Sequence, residues 1–425
     1  MIFSLVISLI FIIYARDKHL DILNPIYIFF LMWILITGMF CLNLGDIVSP
    51  SLLTETIYAT GLLCFGLGAV FAINRNSNQA IYQSSNYNTY IRYDYSMRFI
   101  AAVAICWYIM SQAALRSLPY LLAGTEIGEI RYQMREEILG DINVPFIFIA
   151  EPLSFVIIHF CTLQIFKGNR IKTSAIIIII TALLTEICIG GRFFLYYIGF
   201  DFLFVYFSQK YKAQTITSIK KLKSNFWFRF LLTIIFFVLI TAFVLLTGEG
   251  KVFSTIYSYF CGCIKLLDVK IQEFSTTENY TIFITSFNGF IRPIFVLLRA
   301  VGLIGDLPQI LQHSETYLLA VEEATIEVSK DGGTFNGFVS LFYTFYVDLG
   351  YIGIVLYSFG WGFFSENIFL KMKYRGTDKD FMYYLLILQA LSISMTRFAF
   401  CTYQYALSFV YIYFIFIVGR KVNSK

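Results

Sequence analysis

Residues 25–44, PIYIFFLMWILITGMFCLNL, form an uninterrupted apolar stretch without a charged side chain. A helix of this length is about 30 Å long, which matches the hydrocarbon core of a lipid bilayer. The rest of the chain has the same character, because 58% of its 425 residues are hydrophobic, only 14% are charged and the mean hydropathy is +0.71. A soluble fold cannot cover so much apolar surface with so few charges. The sequence therefore predicts an integral membrane protein.

Similar apolar runs recur along the chain and predict about 11 transmembrane helices. They cover residues 2–15, 25–44, 52–73, 98–115, 144–166, 173–190, 193–208, 230–247, 349–370, 381–396 and 400–419. These runs are continuously apolar, whereas the strands of a membrane β-barrel alternate between apolar and polar residues. We therefore expect an all-α polytopic membrane protein, with residues 1–425 forming a single membrane domain.

Lysine and arginine are concentrated in every second connection between these runs. With the N-terminus outside, the predicted cytoplasmic segments hold 21 of the 32 basic residues: 16–24, 74–98, 167–172, 209–229, 371–380 and 420–425. Short cytoplasmic loops carry such an excess of positive charge. The pattern predicts a protein of a bacterial inner membrane with its N-terminus outside and its C-terminus inside.

This topology places two longer segments outside, a large one at 248–333 and a smaller one at 116–143. Within the large one, residues 281–304 are apolar but include Arg292 and Arg299. Two arginines near the centre of a crossing helix cost about 5 to 7 kcal/mol on the insertion scale. We therefore expect a re-entrant or interfacial helix here. Because the inner loops are short and basic, the chemistry is expected on the outer face.

Six arginines lie where the charge bias of the inner loops does not explain them. Arg131 and Arg135 are four residues apart and share a helix face, and Arg292 and Arg299 are two turns apart and share another. Guanidinium groups bind phosphate oxygens in a bidentate way, so a group of them beside the membrane suits a lipid-linked pyrophosphate. Alternatively, each arginine snorkels to the interface or pairs with a neighbouring carboxylate. The complete set is Arg131, Arg135, Arg192, Arg292, Arg299 and Arg397.

Three side chains are candidates for a general base. Glu151 lies near the outer end of a predicted span, His313 lies in the large outer segment, and Asp348 opens another span. Asp348 has an equally good structural explanation as a helix cap, and a solvated loop explains His313. The sequence has no His/Cys metal cluster, no P-loop and no dinucleotide fingerprint, so neither a metal nor a cofactor is expected. The lack of a nucleotide site argues against a transferase that uses nucleotide sugars.

One stretch near the end of the large outer segment resembles a known family. Residues 336–353, NGFVSLFYTFYVDLGYIG, contain Tyr-x-Asp-x-Gly-x-x-Gly at Tyr346, Asp348, Gly350 and Gly353. Together with Gly-Gly-Arg at 190–192 and the outer segment late in the chain, this pattern is similar to the O-antigen and capsule repeat-unit polymerases of the Wzy type. The Arg-x10-Gly motif of some members is absent.

The resemblance implies a fold like that of the type C membrane glycosyltransferases and a metal-independent reaction on the periplasmic face. A growing glycan would pass from undecaprenyl pyrophosphate to a new lipid-linked repeat unit. Arg131, Arg192, Arg292 and Arg299 would then hold the pyrophosphates, and Glu151, His313 or Asp348 would accept the proton. Arg135, Arg397 and Tyr346 are further predicted substrate contacts.

The implied partners are the undecaprenyl-pyrophosphate-linked oligosaccharide, membrane lipid, a chain-length regulator and a flippase, without nucleic acid. Two alternatives stay open at this stage. An O-antigen ligase shares the layout of the outer segments. A lipid-linked oligosaccharide flippase is also polytopic, but it is expected to show two similar halves, and no such repeat is visible in the sequence.

Overall fold

The computed structural model describes most of the chain, and almost all of the described residues are helical. The described residues are 1–43, 48–83, 97–123, 135–168, 170–189, 193–208, 252–275, 279–322, 324–327, 334–336 and 339–415. The helices are α1 Ile2–Asp17, α2 Pro25–Leu42, α3 Leu52–Gln83, α4 Met97–Leu122, α5 Arg135–Leu139, α6 Asn143–Pro145, α7 Glu151–Phe166, α8 Ile171–Ile189, α9 Phe193–Ser208, α10 Val252–Ser275, α11 Asn288–Ala300, α12 Gln309–Glu322, α13 Leu341–Arg375, α14 Asp378–Ser392 and α15 Tyr403–Ile415. Short 3-10 turns (Gly140–Ile142 and Ala399–Cys401) and a π-helical turn (Phe146–Ala150) complete them.

Six helical stretches in the described part of the chain are long and apolar enough to cross a membrane. They are Pro25–Leu42, Leu52–Asn76, Met97–Tyr120, Glu137–Phe166, Ile171–Cys188 and Leu341–Arg375. Each coincides with or contains most of a predicted run. The runs at 2–15, 193–208, 381–396 and 400–419 also fall on helices, which are shorter than 18 residues in the described part, and the run at 230–247 lies outside it. The prediction of a helical membrane protein is therefore confirmed, while the number of 11 crossings and their orientation stay predictions.

The chain divides into two compact units. The first comprises Met1–Tyr87, Leu246–Arg375 and Ile387–Thr402, and the second comprises Asn88–Leu245, Gly376–Leu386 and Tyr403–Lys425. The single membrane domain expected from the sequence stays a prediction.

The first unit is built around the packing of α3 against α13, where two glycines let the helix backbones touch. A Cβ atom on Gly68 would lie 2.0 Å from the carbonyl oxygen of Phe359, and one on Gly362 would lie 2.0 Å from that of Phe65. Small residues permit such close approach between membrane helices, where van der Waals packing drives association. Aromatic rings fill the space beside this crossing, with Phe29 of α2 stacked on Phe65 at 3.7 Å between ring centroids.

A carboxylate fixes the start of α3 to α10. The Oδ1 atom of Asp268 accepts hydrogen bonds from the backbone N–H of Ser51 (2.9 Å), the Ser51 hydroxyl (2.5 Å) and the Thr54 hydroxyl (3.0 Å), and Oδ2 accepts one from Lys265 (2.9 Å). Burial raises the pKa of Asp268, but the hydrogen bonds from Ser51, Lys265 and Thr54 outweigh it and hold the pKa below its ordinary value. Asp268 thus holds Ser51, the residue before α3, whose hydroxyl in turn accepts a hydrogen bond from the Thr54 N–H at 3.4 Å.

The segment predicted as a large outer loop is mostly helical where it is described, with α10, α11 and α12 in succession. A short antiparallel hairpin follows, in which Ile326 pairs with Phe335. Helix α11 has 13 residues, so it is about 20 Å long and too short to cross about 30 Å of hydrocarbon.

The second unit is centred on α7, all of whose residues are buried. Helices α4, α8, α9 and α15 pack against it. It contains a buried polar pair, because His159 Nδ1 of α7 lies 2.7 Å from Asp201 Oδ2 of α9. The hydroxyl of Ser408 on α15 also donates to the Pro152 carbonyl at 2.8 Å.

Candidate functional site

The Tyr-x-Asp-x-Gly-x-x-Gly spacing at 346–353 corresponds to a break within α13. Leu349 (φ −146°, ψ 21°) and Gly350 (φ 60°, ψ −139°) leave the helical conformation, and the chain resumes as a helix after them. Gly350 has a left-handed φ that favours glycine, and a Cβ on Gly353 would lie 2.0 Å from the Phe345 carbonyl oxygen. Both glycines of the motif are therefore required by the backbone at this break.

The break exposes backbone carbonyl groups, and the turn before α11 binds to them. The N–H of Thr281 donates to the Val347 carbonyl (3.2 Å), and the N–H of Ile282 donates to the Asp348 carbonyl (2.9 Å). The turn before α11 is thus attached to α13 directly before its break. Because broken membrane helices need new partners for their backbone groups, this attachment also satisfies the break itself.

The carboxylate of Asp348 completes the same turn. Its Oδ1 accepts hydrogen bonds from the Thr281 hydroxyl (2.7 Å) and the Thr285 N–H (2.9 Å), and Oδ2 accepts one from the Ser286 N–H (2.9 Å). The residue is fully buried. These contacts favour the capping alternative for Asp348, although the turn it caps leads into α11 rather than into its own helix. The structure gives Asp348 a positioning role.

Two of the predicted arginines meet one acidic helix. Arg292 of α11 pairs with Glu315, and Arg397 pairs with Glu322 at 2.6 Å between Nη1 and Oε1. Glu315 and Glu322 are seven residues apart on α12 and therefore share one face of it. All four side chains remain about a quarter to a third exposed. The structure thus brings Arg292 and Arg397 to a common helix, and we call this arrangement the arginine–glutamate face.

Arg397 lies in the segment between α14 and α15, residues 393–402, which we call the Arg397 segment. This segment is bonded to the backbone at the start of α13. Backbone N–H groups of Val339, Ser340 and Leu341 donate to carbonyl groups of Thr396, Met395 and Ser394, at 2.8 to 3.1 Å. An aromatic cluster lies beside these bonds. Phe398 contacts Trp361 (5.2 Å between centroids) and Phe345 (4.9 Å), and Phe400 contacts Phe290 of α11 (5.3 Å). This packing connects α11, α13 and the Arg397 segment within the first unit.

The other predicted residues have different surroundings. Arg299 is exposed and has no ion pair with any described residue, and His313 is exposed on α12. Tyr346 is buried and packs edge-on against Phe274 and Tyr351 at 6.0 Å each, so it serves the core.

In the described part of the chain, the remaining predicted residues are not brought to this face. Glu151 belongs to the second unit, where its buried carboxylate accepts a hydrogen bond from Gln404 at 3.0 Å. Arg131 and Arg192 lie outside the described residues, and so does the side chain of Arg135, whose backbone begins α5. Where the chain is described, no group of three His, Cys, Asp or Glu side chains is placed to hold a metal ion.

Sequence reasoning did not identify Glu315 or Glu322 as site residues. The seven-residue spacing of the two glutamates places them on one helix face, but it does not indicate which arginines they meet. Comparisons of the chain with protein-family models, with curated proteins and with solved structures each give no match.

Proposed function

We propose that this protein is a membrane glycosyltransferase that polymerises lipid-linked oligosaccharide repeat units. The observation that carries the proposal is the arginine–glutamate face, where the guanidinium groups of Arg292 and Arg397 are kept partly exposed by α11 and the Arg397 segment. The chain also has at least six helices able to cross a membrane in its described part, as a substrate embedded in lipid requires.

Transfer of a glycan from a lipid diphosphate needs positive charge beside the departing diphosphate. The hydroxyl of a new repeat unit attacks the anomeric carbon of the growing glycan, the bond from that carbon to the diphosphate breaks, and lipid diphosphate leaves with the electron pair. Guanidinium groups stabilise the negative charge that develops on the leaving oxygen. In our proposal Arg292 and Arg397 supply this stabilisation, and Arg299, on the same side of α11 as Arg292, assists.

A substrate phosphate would have to share the guanidinium groups with Glu315 and Glu322 or replace them. Partly exposed ion pairs are worth only about 0 to 1 kcal/mol, so exchange of a carboxylate for a doubly charged diphosphate is energetically accessible. His313 is exposed on α12, but a rotation of 100° per residue places it about 160° from Glu315, on the opposite side of that helix. In our proposal the hydroxyl proton therefore passes to water at the partly exposed face, and not directly to His313. Asp348 keeps α11 in register with the break of α13.

The number of membrane crossings and their orientation are part of the same proposal. We place about 11 crossings in a bacterial inner membrane, with the N-terminus and the arginine–glutamate face on the periplasmic side. The charge bias of the predicted inner loops supports this orientation.

The test uses purified protein in lipid nanodiscs with undecaprenyl-pyrophosphate-linked repeat units and without nucleotide sugar or metal. A ladder of multiples of the repeat unit supports polymerisation. Transfer of one glycan to a different lipid acceptor, without a ladder, would instead identify a ligase. Movement of labelled substrate across a vesicle membrane without any new glycosidic bond would identify a flippase and overturn the proposal.

A further inference from the structure

Helix α11 presents two faces of opposite character. Ile294, Leu297 and Val301 follow one another at three- and four-residue spacing and are 58%, 63% and 68% exposed. Arg292 and Arg299 share the opposite side, because a rotation of 100° per residue places Arg299 about 160° from Leu297. A short helix with one apolar face and one cationic face is the pattern of a segment that lies in the plane of a membrane surface.

The depth of α11 relative to a bilayer follows from its attachment to α13. From Tyr351 to Lys371 is 20 residues, or about 30 Å of helix, which equals the thickness of the hydrocarbon core. Exposed apolar side chains such as Ile352 and Leu356 lie within this length, and exposed Lys371 and Lys373 mark its far end. A crossing by this part of α13 would therefore place the break at Leu349 at the opposite membrane–water boundary.

The turn before α11 is bonded to α13 at this break. Its backbone and the Asp348 carboxylate are joined through Thr281, Thr285 and Ser286, as described above. Ile282 and Phe283 of this turn are also exposed, and the turn is bonded to the α13 backbone at the break. Exposed apolar side chains therefore occur on α11, on the turn before it and on the membrane-length helix to which this turn is attached.

From these observations we infer that α11 is an interfacial helix whose partner is the bilayer itself. Ile294, Leu297, Val301 and the following Leu303 lie at the boundary between lipid headgroups and acyl chains. The guanidinium groups of Arg292 and Arg299 are thereby held at headgroup height. This surface is distinct from the arginine–glutamate face and does not depend on the reaction proposed for it.

Depth-dependent fluorescence quenching tests this inference. The two cysteines that are not buried, Cys41 and Cys64, are changed to serine, which leaves six buried cysteines, and one cysteine introduced at Ile294 or Leu297 is labelled with bimane. The full-length protein is placed in phosphatidylethanolamine–phosphatidylglycerol vesicles. Quenchers are a nitroxide near the lipid headgroup, a nitroxide near the end of the acyl chain, and aqueous iodide. Labels at Leu356 on α13 and at exposed Gln312 on α12 serve as the deep and the aqueous references.

The inference predicts that labels at Ile294 and Leu297 lose most fluorescence with the shallow nitroxide, the label at Leu356 with the deep nitroxide, and the label at Gln312 with iodide. Iodide quenching at Leu297 equal to that at Gln312 would overturn it, because α11 would then lie in water. Stronger quenching by the deep than by the shallow nitroxide would show insertion, and protection from all three quenchers would show that protein, such as a second copy of the chain, covers the face. Either result also overturns the inference.

Discussion

The Asp348 turn and the arginine–glutamate face lie in the same unit but use charge in opposite ways. Asp348 is fully buried, and two backbone N–H groups and a hydroxyl bind its carboxylate. Arg292 and Arg397 are partly exposed, and their partners are flexible carboxylates of one helix. Buried hydrogen-bonded groups are costly to disturb, whereas exposed ion pairs exchange at little cost. Asp348 therefore fixes the turn before α11, whereas the ion pairs of Arg292 and Arg397 exchange at little cost, as the proposed binding of a diphosphate requires.

Removing the Asp348 carboxylate is expected to have the largest effect. Asp348→Ala leaves the N–H groups of Thr285 and Ser286 and a hydroxyl without their acceptor, which costs about 3 kcal/mol or more in the free energy of unfolding. Thermal unfolding of the detergent-solubilised protein measures this loss. Asp306→Ala, at an exposed site of the same unit, is the control and is expected to unfold like wild type. Equal unfolding temperatures for the two variants would remove the positioning role of Asp348.

Substitution of Arg292 and Arg397 tests the arginine–glutamate face. Arg292→Ala and Arg397→Ala are each expected to lower the polymerisation rate by about 100-fold or more, because transition-state charge loses a donor. Their unfolding temperatures are expected to change little, since the ion pairs are partly exposed.

Arg116→Ala is the matched control for these arginines. Arg116 also forms a partly exposed ion pair, with Asp141 at 2.7 Å, but it does so in the second unit. Its removal is expected to leave the rate close to wild type. If Arg292→Ala and Arg397→Ala retained the full rate at normal protein levels, the arginine–glutamate face would not be the reaction site.

A substitution at the crossing of α3 and α13 tests whether the packing of these two helices is rigid. Gly362→Ala forces a methyl group against the Phe65 carbonyl, so the helices must separate, at a cost of about 1 to 3 kcal/mol. Gly360→Ala on the same helix is the control, because no described atom lies within 4 Å of its added Cβ. A chemical denaturation series on both variants measures the difference, and similar stability would show that the crossing adapts.

Neutralising Glu315 and Glu322 tests whether their carboxylates compete with a substrate diphosphate for the arginines. Glu315→Gln and Glu322→Gln remove the competing carboxylates, so the apparent KM for the diphosphate substrate is expected to fall by about 2- to 5-fold, the equivalent of a weak ion pair. Steady-state kinetics with the lipid-linked repeat unit provides the measurement. A higher KM would mean that the glutamates help to bind substrate rather than compete with it.

Substitution of Asp268 is expected to have the smallest effect on stability, and this effect depends on pH. Its pKa is lowered in the folded protein, so the unfolded state takes up the proton first. The stabilisation is therefore complete above the ordinary pKa near 3.8 and is lost as the pH falls through the lower folded value. Unfolding temperatures measured below about pH 4 follow this loss. In Asp268→Asn this part of the acid dependence should vanish, and an unchanged profile would contradict the prediction.

Much of the fold follows from local sequence, but the partners of the site do not. The run at 25–44 predicts a helix because its length and polarity refer only to its own residues. The motif at 346–353 marks an unusual position, yet sequence alone leaves capping and catalysis equally open for Asp348. Its partner Thr281 is 67 residues away, and the partner of Arg397 is 75 residues away. No local periodicity indicates such pairings.

The sequence by itself determined that this chain is a helical membrane protein, because apolar composition and run length decide what a bilayer can solvate. It also marked Gly350 and Gly353 by their spacing. Only the tertiary structure decided that Asp348 holds the turn before α11, that Glu315 and Glu322 bind the arginines, and that the apolar face of α11 is exposed. The physical reason is that these features depend on which distant groups meet when the helices pack, whereas insertion into lipid depends on each segment separately.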